Sequence, residues 1–353
     1  EEGKKEYEGF MMNNVKQCYG KEFFEDIERV QYEGCYYCNQ RFADGILYDR
    51  NGDIEYKGDL VYDPSNSLVT CESSISNYTQ FLKVPNNTIN RALFFSLTPW
   101  AYSLKEIEIG DYCFCNVKLC DIVGLGELET IVIGQNSFFN DNNNDEEDDS
   151  KKVNGICRIM NCDRLRSIRF DESSFGDYHS FELKNLPSLQ SIELESDCFF
   201  YVPSLSLTDL PQLQSIVLGK RLFYDCTSFV LSSVPSLKSI RMGEDCFWNT
   251  VSFSLTNLPN LQSIVLDEES FMHCHSVVFE NLPILESIEL GDCALQGDHD
   301  DSRRAIKNEP YNYKNTLTMR NLPSLVSFKG GKRNFMYFGS VILENIPKLL
   351  FSE

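Results

Sequence analysis

Few side chains in this 353-residue chain could do chemistry, and their spacing is poor for it. There are four histidines, His179, His273, His275 and His299. His273-x-His275 flanks Cys274 at a spacing that metal sites use, but no nearby carboxylate is placed to support it. The pair reads as an exposed loop. Cys35-x-x-Cys38 is a close pair of thiols, with no second pair or histidine cluster to complete a zinc site. The acidic run at 140–149 lacks the alternating acids and glycine bend of a calcium loop, and reads as a solvated, low-complexity segment. Gly330-Gly331-Lys332 lacks the upstream glycine of a phosphate-binding loop. G-x-S-x-G, H-E-x-x-H and the dinucleotide fingerprint are all missing from the sequence. The expectation is a protein that is not an enzyme, with no metal and no cofactor.

A fixed period organises most of the chain. Leu189, in Leu186-Pro187-Ser188-Leu189-Gln190-Ser191-Ile192-Glu193-Leu194, has equivalents at Leu104, Leu128, Leu165, Leu213, Leu237, Leu261, Leu285, Leu325 and Leu349. The steps are 24 residues except for one of 37 and one of 40. Such a period marks a solenoid in which one supersecondary unit stacks on its copies. Ser191-Ile192-Glu193-Leu194 alternates with period two, which predicts a short strand with Ile and Leu inward. A large apolar residue follows five places after each strand leucine, as in Phe114, Phe138, Phe175, Phe199, Phe223, Phe247 and Phe271. Upstream, Phe181-x-Leu183, Phe229-x-Leu231 and Phe253-x-Leu255 predict a second strand per coil. Asn161, Asn185, Asn257, Asn281, Asn321 and Asn345 precede the next apolar residue, with Asp209 standing in once. Asparagine bonds neighbouring backbone and tolerates turn conformations, so this column predicts a stacked turn.

The leucine and isoleucine columns resemble the leucine-rich repeat. Two strands per coil, phenylalanine bends and scattered cysteines resemble its BspA-like branch. The resemblance covers about two thirds of the chain. It implies a parallel-sheet solenoid and a role in binding other macromolecules, without naming one. The first 62 residues repeat differently. Tyr7-Glu8-Gly9, Tyr32-Glu33-Gly34 and Tyr56-Lys57-Gly58 recur, and Asn51-Gly52 is a hairpin turn between alternating segments. This resembles the membrane occupation and recognition nexus (MORN) repeat, which implies stacked hairpins.

The expected fold is mainly β. Residues 1–62 form a small MORN-type hairpin module, and 63–98 a junction and N-terminal cap. Residues 99–353 form a solenoid of about ten 24-residue coils with insertions near 140–152 and 297–314. Right-handed coils follow from the preference of parallel crossovers. The chain starts without Met or a signal peptide and stops partway through a coil, so the expectation is a fragment.

A net charge of −21 argues against nucleic acid and against simple docking on an anionic membrane. Membrane contact through the MORN-like module is not favoured, since acids outnumber its lysines. A basic or filament-forming protein partner is compatible. Of fourteen cysteines, Cys113, Cys198 and Cys246 directly precede a column phenylalanine and read as small buried hydrophobes. That favours a reducing compartment, whereas the sequons at Asn77 and Asn86 lean the other way.

With no chemistry found, what remains is a surface. Flanking the inward Ile are a serine column and a column reading Glu108, Val132, Arg169, Glu193, Val217, Arg241, Val265, Glu289 and Lys329. Arg169, Val217 and Arg241 are the natural anchors for a partner there. Arg303, Arg304, Tyr311 and Tyr313 in the second insertion have the makings of an interface hot spot. The expected function is a protein–protein interaction scaffold, a structural subunit of a cytoskeletal or other large intracellular assembly. A cell-surface adhesion module and a regulatory segment of a larger enzyme are the alternatives. The expected location is the cytoplasm, with secretion or the cell surface as the alternative.

Overall fold

A computed structural model describes residues 5–12, 15–37, 40–60, 80–87, 94–97, 101, 103–139, 155–298 and 314–349. Arg303, Arg304, Tyr311, Tyr313, His299, Asn77, Cys38 and the acidic run at 140–149 lie outside these residues. Among the described residues there is no α-helix.

The N-terminal segment folds as five antiparallel strands in chain order: β1 (Tyr7–Met12), β2 (Val15–Phe23), β3 (Val30–Tyr37), β4 (Gln40–Tyr48) and β5 (Ile54–Leu60). The repeated glycine has a physical cause. Gly9, Gly20, Gly34, Gly45 and Gly58 pair in register, making one glycine row across all five strands. Tyrosine rings lie on this row: a Cβ at Gly9 would sit 2.5 Å from the Tyr7 hydroxyl, and one at Gly45 2.5 Å from that of Tyr32. Tyr32 is fully buried. Tyr36 packs edge-on between Tyr7 and Tyr32, with centroids at 5.1 and 5.2 Å. Glu22 clamps this layer by pairing with both Lys16 and Arg41 at 2.7 Å. At the β4–β5 turn, the N–H groups of Asn51 and Asp53 donate to the Asp49 carboxylate at 2.8 and 2.9 Å, and Gly52 takes φ +93°.

The repeats build two parallel sheets. The long sheet has ten strands in sequence order, from Phe81–Val84 to Ser327–Lys329. Ten strands make nine steps, so the solenoid has about nine turns rather than the ten coils expected. Its register is uniform: Ser191 pairs Ser215 and Ile192 pairs Ile216. The longer steps leave it undisturbed, since Thr130 pairs Ser167 and Ser287 pairs Ser327. Both sheets begin inside the stretch read as a junction, with Phe81–Val84 in the long sheet and Phe94–Leu97 in the second. The second sheet falls into groups of four, two and four strands. Among the described residues no ladder joins Tyr178–Lys184 to Ser204–Thr208, nor Ser228–Ser232 to Ser252–Thr256.

Between the sheets runs a stack of phenylalanine rings. Phe138, Phe175, Phe199, Phe223, Phe247 and Phe271 stack in order at 4.6 to 5.9 Å and are buried. Each has φ between +50° and +56°. A left-handed backbone costs an L-residue ~1–2 kcal/mol. Burying a phenylalanine ring returns ~1.5–3 kcal/mol, and an aromatic pair adds ~0.5–1.5 kcal/mol. The bend is therefore held by what its own residue buries.

The residue before each ring explains the scattered cysteines. Cys198 and Cys246 donate to carbonyls of the preceding turn, at Asp171 (3.3 Å) and Gly219 (3.0 Å). Ser137, Ser174 and Ser270 occupy the same column and donate to Gly110, Gly134 and Gly243 at 2.6–2.7 Å. Where the column holds cysteine or serine it supplies a small buried donor, and thiol and hydroxyl both serve, while Leu222 and Ala294 fill it by burial alone. Burial pushes the Cys246 thiol up to about 12, so it stays protonated and able to donate.

The asparagine column takes φ from +55° to +57°, with Gly124 at +76° filling it once. Its side chains are exposed, so they do not serve buried backbone. They bond one another instead: Asn185 to Asn161 (2.7 Å), Asn281 to Asn257 (2.9 Å), Asn321 to Asn281 (2.7 Å) and Asn345 to Asn321 (3.1 Å). Asp209 and Ser233 interrupt this ladder in two successive turns.

Candidate functional site

The outer face of the long sheet carries the residues expected to bind. Arg169, Glu193, Val217 and Arg241 occupy four successive strands in register. Three strand spacings separate the two arginines by about 14 Å. Arg169 and Arg241 are exposed, and Val217 is half-buried between them. Both arginines already have carboxylate partners, Arg169 with Asp171 at 3.1 Å and Arg241 with Asp267 at 3.0 Å. Exposed pairs of this kind are worth ~0–1 kcal/mol, so a partner could take either arginine over at little cost. Further along, Lys83 pairs with Glu108 (2.7 Å) and Lys238 bonds Gln214 (2.9 Å). The face is of mixed sign with its charges locally matched.

Three other features frame it. The carboxylate missing from the sequence reading of the histidine pair is Asp298, which meets His273 at 3.4 Å and His275 at 3.0 Å. Among the described residues no group of three or more His, Cys, Asp or Glu could hold a metal ion. A groove of about 680 Å³ opens where the asparagine ladder is interrupted, lined by Asn185, Pro187, Asp209, Pro211, Ser233 and Pro235 among others. On the phenylalanine bends, the residue after each core ring forms a second aromatic row of Phe200, Tyr224 and Trp248. That row was not singled out from sequence, although its signal is there: the column reads Cys115, Phe139, Gly176, Phe200, Tyr224, Trp248, Met272, Gln296 and Met336, with its aromatic run at 200–248.

Stacked 24-residue turns with inward Leu and Ile columns and an open parallel sheet define a β-solenoid. Residues 160–278 match the family described as BspA type Leucine rich repeat region, in six copies. No curated protein and no solved structure matches the chain. Leucine-rich repeats generally mediate protein–protein interaction, and those of the BspA type are often found in surface adhesion proteins. Among the described residues no helix is long and apolar enough to cross a membrane.

Proposed function

We propose that the chain is a non-enzymatic scaffold that holds protein partners on the outer face of its long sheet. The observation that supports this most is the unbroken register of ten strands. It offers side chains at a fixed pitch of ~4.8 Å over roughly 43 Å, an array suited to an extended partner surface. The five-stranded hairpin sheet, with its glycine row under tyrosines, is read as a MORN-type module and a second holding surface. The partners are proteins rather than nucleic acid or membrane, as the charge of −21 suggests. The setting proposed is a cytoskeletal or other large intracellular assembly.

Surface adhesion is the second reading, favoured by the repeat type. Against it, the Asn86 amide of one sequon is engaged on both sides, donating to Asp111 at 3.1 Å and accepting from its N–H at 3.0 Å. A glycan on that nitrogen would replace one of its two hydrogens and crowd the contact with Asp111. Cys120, Cys157, Cys162, Cys198, Cys226, Cys246, Cys274 and Cys293 are free thiols.

The test is a partner captured by affinity purification, identified by mass spectrometry and then titrated as a pure protein. Val217→Asp should weaken its binding at least tenfold, and Arg169→Ala with Arg241→Ala several-fold. Unchanged affinity in both variants would move the docking surface elsewhere.

A further inference from the structure

The second aromatic row differs from the core stack in what lies over it. Phe200, Tyr224 and Trp248 stack at 4.8 Å and 5.4 Å with planes within 10° and 18° of parallel, and His273 closes the row at 5.3 Å from Trp248. All four are half-buried, so an aromatic edge of roughly 15 Å stays partly uncovered, apolar except at its His273 end.

This edge runs beside an excess of negative charge. The four bends at 195–203, 219–227, 243–251 and 267–275 hold eight carboxylates, one lysine and one arginine. Both cations are taken, Lys220 by Glu244 and Arg221 by Asp197, each at 2.8 Å. Asp267 is paired with Arg241. Asp225, Asp245 and Glu269 keep no cation among the described residues. Burial and then Glu244 push the Asp245 carboxyl above its ordinary value, and burial and then Asp245 do the same for Glu269. Tyr224 feels the same carboxylates: burial first, then Asp245 and Asp225, raise its hydroxyl. Aromatic edge and acids thus form one surface.

Apolar edge and unmatched carboxylates together select the occupant. A neutral apolar segment would bury those acids unpaired, and an acidic one would be repelled. An arginine fits both halves. Its methylene stem covers ring edge, while its forked guanidinium pairs carboxylates bidentately. In an extended chain alternate side chains share one face at ~6.8 Å, so three of them span the row.

We propose that the row Phe200–Tyr224–Trp248, with Asp225, Asp245 and Glu269 beside it, docks an extended partner segment bearing alternate arginines. This rests on the scaffold reading above but uses a bend of the solenoid, not the outer face of its long sheet.

The test uses the whole chain and a fluorescein-labelled five-residue peptide alternating arginine with glycine, read by anisotropy at low and physiological salt. A peptide alternating glutamate with glycine should not bind. Trp248→Ala leaves the net charge unchanged and should weaken the arginine peptide about tenfold. Asp245→Asn with Glu269→Gln should weaken it by a similar factor, and these changes relieve crowding rather than threaten folding. Glu193→Gln with Glu289→Gln, on the outer face of the long sheet, removes the same charge and should leave affinity within twofold. Equal losses from the two charge-removing pairs, or no loss from Trp248→Ala, would reduce the binding to general attraction and overturn the site. Trp248→Ala should also leave the partner titrated against Val217→Asp unaffected. Loss of either binding mode alone then sinks only its own surface.

Discussion

Asn257 separates two explanations of the asparagine column, because its backbone and its side chain can be perturbed independently. It sits at φ +57°, is exposed, and accepts a hydrogen bond from Asn281 at 2.9 Å. Asn257→Gly deletes the ladder bond and leaves the left-handed backbone unstrained. Asn257→Ala and Asn257→Leu delete the bond and also impose the strain. That strain is ~1–2 kcal/mol for an ordinary L-residue. An exposed amide–amide bond is worth ~0.5 kcal/mol, the low end of the usual range. The backbone should therefore dominate. Asn257→Ala and Asn257→Leu should each lose about 1–2 kcal/mol, or roughly 2–8 °C in thermal midpoint by the usual size scaling. Asn257→Gly should stay within ~1 kcal/mol of the parent, its unfolded-state entropy set against relief at the turn. Asn257→Asp keeps the acceptor and should be nearly silent. Gly124 already holds this column at φ +76°. Thermal unfolding followed by circular dichroism ranks the four. If Gly falls as far as Ala, the ladder and not the turn sets the column, and the reasoning fails.

Phe223→Ala should cost about 3–5 kcal/mol, since the ring is fully buried between Phe199 and Phe247. Hydrogen exchange should rise in adjoining turns and not in the hairpin sheet; a uniform rise would contradict nearest-neighbour stacking. Cys246→Ser should be nearly neutral and Cys246→Val should cost ~1 kcal/mol, because only the first keeps a donor for the Gly219 carbonyl. Equal midpoints for the two would remove the donor explanation. Acidification should act oppositely at two places. Burial pushes Glu22 up, but Lys16 and Arg41 outweigh it and hold its carboxyl below the ordinary value. Its stabilising contribution is present above the unfolded pKa and is lost as pH falls through the folded one. Asp245 and Glu269 are raised, so their sites are most stable below the unfolded carboxylate range and weaken as pH rises through the folded values. Carboxyl titration by NMR checks this: Glu22 titrating above an ordinary glutamate, or Asp245 below an ordinary aspartate, would be the wrong direction.

The strand built on Ser191-Ile192-Glu193-Leu194 was legible because a strand with one covered face shows its alternation directly in sequence. The phenylalanine column was legible as core but not as a left-handed bend, since bulky residues seldom take that conformation. Cys198 and Cys246 read correctly as small and buried. Their role as donors emerges only when the carbonyl 27 residues earlier is brought beside them. Distance along the chain also hid the partners of the candidate site. Arg241 pairs across 26 residues and His275 across 23, about one turn of the solenoid in each case. The asparagine column announced a turn. That its side chains would bond each other rather than backbone depended on their facing water.

The uneven division of the two sheets gives the molecule a direction of easy flexure. The long sheet is laddered at every step, like the sewn spine of a book, while the second sheet has no strand ladder at two seams. Fanning the seamed edge opens gaps without breaking a strand pairing, whereas fanning the spine must break a ladder at every step it passes. The section between the seams carries Asp209 and Ser233, where the asparagine ladder is also interrupted. A partner longer or more curved than the resting arc would therefore be accommodated by these two turns first, with the remaining turns moving as two stiff segments on either side.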